Sequence, residues 1–250
     1  MKNNTNNKVE LIHEKVFTIY VNGRSEGTVS CTPVDLRQLA IGWLFTEGRI
    51  KDPSGITCVE EKEEEQSIRV LTMELIKDGC SQTDTSDRRR TGRRRWTEDD
   101  LKWISQAFAE EPPLRAATKA AHSCMVVRKV PGQELELPGQ EPQVPEQDPQ
   151  VLYRSEDAGR HSALDKAIGW AMLNDVDLGD CFLMTSGRIS TRMAAKAGRA
   201  GASALAGKGT VTAEAVELAE EYGMTLIGYV KDDSATWFCD PSAGADPARS

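Results

Sequence analysis

The stretch CFLMTSGRISTRMAAKAGRAGASALAGKGTVTAEAVELAEEYGMTLIGYV, Cys181 to Val230, decides the fold. It opens on CFLMT (Cys181 to Thr185), a short apolar run of the buried-strand kind. Ser190 then caps a helical segment that ends at Gly201. A second short run covers Ser203 to Ala206. Thr212 caps another helix, Gly223 stops it, and TLIGYV (Thr225 to Val230) forms a third strand. Such alternation of strands and helices predicts a parallel sheet covered by helices.

Ligands of open parallel sheets sit beyond the carboxyl ends of the strands. Three turns stand there: Ser186-Gly187-Arg188, then Gly207-Lys208-Gly209-Thr210, then Lys231-Asp232-Asp233-Ser234. Taken singly, each is also explained by Gly and Ser making a turn beside a solvated cation. Together they collect cations, hydroxyls and glycines at one edge, and two of them lead into helix N-termini. That combination favours an anionic ligand such as a nucleotide or pyrophosphate.

Just upstream lies SEDAGRHSALDK, Ser155 to Lys166, which packs three acids, an Arg, a His and a Lys around one Gly. Asp157, Arg160, His161 and Asp165 are candidate site residues. The alternative is a capping Asp157, a structural His161 and surface charges at Asp165 and Lys166. A short strand, Val151 to Tyr153, precedes this segment. A helix from Ser162 to about Leu173 follows it, with Leu164, Ile168 and Met172 on one face. Pro131 to Gln150 is rich in Pro, Gln and Glu and reads as a disordered excursion. Ala121 to Val130 reads as a strand, with His122 as a structural residue at its start. Thr97 and Asp100 cap a further helix bearing Leu101, Ile104 and Phe108, which Pro112-Pro113 ends.

Toward the N-terminus, VFTIYV (Val16 to Val21) and a return strand near Thr28 to Cys31 flank the hairpin turn Asn22-Gly23. Thr32-Pro33 opens a helix with Pro at its first position and Asp35 three residues after Thr32. Leu36, Leu39, Ala40, Trp43 and Leu44 form its apolar stripe, and Gly48 stops it. Strands near Ile56 to Glu61 and Ser67 to Glu74 follow. Lys77 to Arg95 is polar throughout, and its composition predicts a mobile loop. It carries Cys80 and six Arg between Arg88 and Arg95. That basic run is either a solvated loop or a device that steers an acidic partner; nearby Arg also favours the Cys80 thiolate.

Composition narrows the classes. Apolar residues make up 39% and charged residues 28% of the 250 residues, as in soluble globular chains. A net charge of −8 gives no overall pull toward nucleic acid or anionic membrane. No apolar run approaches the about 18 residues of a membrane span, and MKNNTNNK has no signal-peptide core, so the cytoplasm is expected. The six Cys form no CxxC pair and are expected reduced. Walker A, GxGxxG and zinc-deaminase signatures are all missing.

With these motifs in view, the chain resembles the formate dehydrogenase accessory sulfurtransferase family (FdhD/NarQ). The likeness is carried by IYVNGRSEGTVSCTPVDLRQLAIGWLFTEGRI, by SEDAGRHSALDKAIGWAML, by MTSGRIST and by TAEAVELAEEYGMTLIGYVKDD. The resemblance implies an α/β protein. Its larger C-terminal part, 97–250, would be a cytidine-deaminase-like domain with a parallel or mixed sheet flanked by helices, lacking the catalytic zinc and interrupted by an excursion at 131–150. A smaller α+β N-terminal domain, 1–96, would precede it and end in the Cys80 loop.

The resemblance further implies a sulfurtransferase. Cys80 would take sulfur from a cysteine desulfurase as a persulfide. It would pass the sulfur to molybdenum in bis-molybdopterin guanine dinucleotide, making formate dehydrogenase active. The pocket for this guanine nucleotide-type ligand would comprise Tyr229, Val230, Lys231, Asp232, Asp233 and Ser234, with Arg160, His161, Asp165, Ser186, Gly187, Arg188 and Lys208. A homodimer without a tightly bound metal is implied. The alternative is a non-catalytic module that binds and delivers the cofactor. Three departures stand out. Thr83 occupies the place of the family's second loop Cys. TKAAHSC (Thr118 to Cys124) keeps Thr118 and His122 but loses two glycines. Asp232 and Asp233 replace a Gly and a base.

Overall fold

The computed structural model describes residues 10–73, 95–129, 149–231 and 234–241. Two mixed sheets build the molecule, each with helices on it. The first contains β1 (Lys15–Val21), β2 (Arg24–Cys31), β3 (Ile56–Lys62) and β4 (Ser67–Thr72), in the order β2-β1-β4-β3. The β1–β2 and β3–β4 pairs are antiparallel, whereas β1 and β4 run parallel. Alternation puts Phe17, Ile19, Val21, Ile68 and Val70 on one face. There they meet Leu36, Leu39, Ala40 and Leu44 of α1 (Leu36–Thr46) in a closed core.

Helix α1 starts at Leu36, not at Thr32-Pro33. Asp35 precedes it in the left-handed region (φ 52) and makes no side-chain cap. The reason is tertiary. The Thr32 N–H donates to Asp157 Oδ2 (3.0 Å), its hydroxyl accepts from the Ala158 N–H (3.0 Å), and its carbonyl accepts from Lys166 Nζ (3.2 Å). Those partners lie more than a hundred residues away, where local capping rules cannot register them.

Helices α2 (Glu98–Ala109) and α3 (Pro113–Thr118) come next. Thr97 and Asp100 form the expected capping box. Helix α2 ends before Pro112-Pro113, as expected, and Pro113 also opens α3, where its missing N–H costs nothing. The second sheet follows with β5 (His122–Lys129), β6 (Pro149–Asp157), β7 (Cys181–Thr185), β8 (Ala204–Gly207), β9 (Thr225–Lys231) and β10 (Ser234–Cys239), ordered β10-β9-β8-β7-β5-β6. Strands β7, β8 and β9 are parallel and the outer pairings antiparallel. Strand β6 is longer than expected. Pro149 and Gln150, assigned to the disordered excursion, open it; residues 131–148 lie outside the described residues.

Helices α4 (Arg160–Leu173), α5 (Thr191–Arg199) and α6 (Ala213–Tyr222) cover one face of this sheet. Trp96 and α2 cover the other. The two sheets are joined where α1 crosses α4. A Cβ on Gly42 would lie 1.9 Å from the Asp165 carbonyl oxygen, and one on Gly169 would lie 1.9 Å from that of Gln38. The helices therefore touch backbone to backbone, which only glycine permits.

Ion pairs flank that crossing. Lys166 and Asp157 are fully buried and 2.7 Å apart. Lys196 bonds both Asp165 oxygens at 2.9 Å and Thr46 Oγ1 at 2.8 Å, and it pairs with Glu47 at 2.9 Å. Arg192 also pairs with Glu47 (2.7 Å), and Arg199 donates to the Thr46 carbonyl. Three cations on one face of α5 thus meet the carbonyl end of α1, where the helix dipole is negative. Asp165 and Lys166 are core residues, not the surface charges that one sequence reading allows.

Candidate functional site

The site is built where β7 and β8 end. The Lys208 N–H donates to the Thr185 carbonyl (3.1 Å), the Gly209 N–H to that of Gly187 (3.2 Å) and the Ile189 N–H to that of Thr210 (2.9 Å). The Tyr229 N–H in turn donates to the Gly209 carbonyl (3.0 Å). These bonds lock the two turns side by side, with Arg188 and Lys208 exposed.

A cleft of ≈ 300 Å³ opens next to them. Its walls include Phe108, Glu110 and Glu111, Arg115 of α3, Ser123 of β5, Ser186 and Lys208. Ser186 Oγ accepts from the Ser123 N–H (3.1 Å) and lies 3.1 Å from His122 Nδ1. Arg160 packs over Gly187, whose Cβ would meet the Arg160 Cδ at 2.9 Å. The Nε of Arg160 is buried without a hydrogen-bond partner among the described residues. Lys208 Nζ stands 5.4 Å from the Phe108 ring centroid, a cation–π distance. Arg115 is oriented by Nη1 donating to the Ala121 carbonyl (2.8 Å), while Glu156 holds the Leu114 and Arg115 N–H groups (2.9 and 2.7 Å). Burial, with help from Arg160 and Arg115, lowers the pKa of His122 and keeps its imidazole neutral.

The expected pocket residues do not all gather here. Ser186 and Lys208 line the cleft, and Arg160 packs on Gly187 next to Ser186. His161 turns the other way, with Nε2 3.5 Å from Ser190 Oγ. Its pKa falls to about 4 through burial and the cations Arg160, Arg192 and Lys196. Asp165 is sealed against Lys196, with burial raising its pKa against the pull of that ammonium. Val230 and Ser234 line a second hollow of ≈ 190 Å³ beside Glu98, Leu101 and Trp237. Tyr229 is half exposed in a left-handed conformation (φ 53) and donates to Thr210 Oγ1 (2.7 Å). Arg188 and Lys231 are exposed at the same edge. Cys80, Asp232 and Asp233 lie outside the described residues, as do Thr83 and residues 88–94 of the Arg run.

Arg115 and Ser123 were not singled out from sequence, Phe108 reads there only as an apolar helix residue, and His122 reads there as structural. Only the juxtaposition of α2, α3 and β5 at the strand ends reveals them. Among the described residues no three His, Cys, Asp or Glu side chains are placed to hold a metal. Burial pushes the described thiols of Cys31 and Cys124 up to about 12 and that of Cys239 to about 11. None of these three supplies a thiolate at neutral pH. No described helix is long and apolar enough to cross a membrane.

Fold and site together define an α/β protein with paired mixed sheets and a cation-lined cleft at the ends of its parallel strands. More particularly, the chain belongs to the FdhD/NarQ family, whose model matches residues 12–135 and 143–243. Among similar proteins, the sulfur carrier protein FdhD of Geobacillus kaustophilus is 29% identical over 230 residues, covering 89% of this chain and 85% of the relative. The sulfur carrier protein FdhD of Bacillus pumilus is 28% identical over 229 residues, covering 90% and 86%. A crystal structure of a formate dehydrogenase accessory protein from Desulfotalea psychrophila has the same fold, with a TM-score of 0.72 at 22% identity, covering 92% of this chain and 89% of that one.

Proposed function

We propose that this protein is a sulfur carrier for formate dehydrogenase maturation. Family membership over most of the chain supports this reading most strongly, since relatives matched over nine-tenths of it are named sulfur carriers. In the finer reading, Cys80 is the carrier. Its thiolate attacks the outer sulfur of a persulfide on a cysteine desulfurase. A Cys80 Sγ–S bond forms, the donor S–S bond breaks, and the donor leaves as its thiolate. The low acidity of Cys31, Cys124 and Cys239 argues against those three as the carrier.

The acceptor is molybdenum in bis-molybdopterin guanine dinucleotide, held as substrate at the strand-end edge. Lys208, Arg188 and Lys231 stand ready to neutralise its phosphates, and Ser186 and Arg160 shape the wall. The test is to charge the protein with labelled sulfur from a cysteine desulfurase. Label is expected on the wild-type chain and none on Cys80→Ala; label persisting on the variant removes Cys80 from the role. Thr83, standing in place of a second loop Cys, favours one competing reading: a module that binds and delivers the cofactor without a persulfide. In that case Cys80→Ala would still support formate dehydrogenase maturation, while Lys208→Ala would not.

A further inference from the structure

The geometry points to Ser186 as a hydrogen-bond donor to a phosphoryl oxyanion in the strand-end cleft, with His122 as the residue that positions it. The inference rests on reading that cleft as the ligand site, and it names the group bound there.

The hydrogen-bond count around Ser186 carries the inference. Its Oγ already accepts from the Ser123 N–H, and His122 Nδ1 lies 3.1 Å away. Two imidazole tautomers fit that distance. With the ring proton on Nε2, Nδ1 accepts the Ser186 hydroxyl, and the serine has no proton left to offer. With the proton on Nδ1, the ring donates to Oγ. The oxygen then accepts twice, and its one hydroxyl proton is free to point into the cleft. An anion in the cleft accepts that proton and so selects the second tautomer. Burial, with the guanidinium groups of Arg160 and Arg115, lowers the His122 pKa and so favours the neutral ring in which the two tautomers compete.

The charges around the cleft suit a phosphoryl group. Neither Arg115 nor Lys208 pairs with a carboxylate among the described residues. Of the two acids on the wall, Glu111 is taken by Lys119 at 2.6 Å and Glu110 lies in the field of Arg154. The donors come from three separate elements: α3, the end of β7 and the end of β8. A tetrahedral anion with several acceptor oxygens can meet all three at once. The source is either the diphosphate bridge of a nucleotide or free phosphate.

The full chain, labelled with ¹⁵N, is titrated with inorganic pyrophosphate, followed by calorimetry and by imidazole nitrogen shifts. Binding is expected to move His122 to the Nδ1–H form. Lys208→Ala and His122→Ala are each expected to weaken binding about tenfold, the value of one charge-assisted hydrogen bond. His122→Asn, whose amide can donate from the Nδ1 position, is expected to recover most of the loss. Lys208 is exposed, so its variant tests the site even if His122→Ala does not fold. A guanosine diphosphate arm separates the sources: tighter binding than pyrophosphate with the same shift points to a nucleotide, and equal binding points to the free anion. Absence of pyrophosphate binding, binding without the tautomer shift, or binding as tight as wild type by both alanine variants overturns the inference. Any of those results with Cys80 still accepting labelled sulfur leaves the sulfur-carrier reading intact. An unlabelled Cys80 with the tautomer shift present does the reverse.

Discussion

The α1–α4–α5 junction and the strand-end cleft use the same residue types in opposite ways. At the junction Lys166, Lys196, Asp157 and Asp165 are buried and every charge meets a partner. At the cleft Arg115 and Lys208 line the wall, and neither pairs with a carboxylate among the described residues. A charge that is fully satisfied within the protein holds the fold together. A charge left over at a concave edge is available to a ligand.

The harshest way to break this contrast is at the helix crossing. Gly169→Val is expected to abolish soluble folded protein, because its Cβ would fall 1.9 Å from a backbone oxygen that cannot yield without separating the helices. Expression followed by circular dichroism checks it; a folded variant with unchanged melting would show that the junction is not tightly packed. Next in size is Lys196→Met, which strands the buried Asp165. A loss of about 3–5 kcal/mol is expected in denaturant unfolding, with much of it returned by adding Asp165→Leu. Equal loss in single and double variants would mean that the pair does not act as a unit.

By contrast, Lys208→Ala should leave stability within about 0.5 kcal/mol of wild type, as exposed positions do. A melting shift as large as that of Lys196→Met would erase the distinction between the two regions.

The sequence disclosed the parallel core of the second sheet well. Cys181 to Thr185 and the cap at Thr212 were read at the right residues, since buried strands and capped helices are written in local pattern. It was less clear about SEDAGRHSALDK. The density of polar groups there suggested a site, yet the structure turns Asp157, Asp165 and Lys166 inward and divides Arg160 from His161. Burial of a charge depends on its partner, and Lys196 and Thr32 lie too far along the chain to register in a local pattern. The cleft was half legible: Ser186 and Lys208 follow from strand ends, whereas Arg115 arrives on a short helix hidden behind two prolines.

A pH-dependent prediction concerns His161, on the junction side. Its folded pKa, about 4, lies below the ordinary 6.5. The unfolded chain therefore takes up a proton first as pH falls. Stability should decline between pH 6.5 and 4 and level off below, and His161→Gln should flatten that decline. An unchanged slope in the variant would remove His161 from the junction's electrostatics.

The contrast as a whole is tested most directly by hydrogen–deuterium exchange of the full chain with and without guanosine diphosphate. Protection is expected to rise at residues 186–188 and 208–210 and around Arg115, with no change where α1 crosses α4. Protection confined to the helix junction, or none at the strand ends under saturating nucleotide, would contradict the assignment of the cleft as the place where this sulfur carrier holds its ligand.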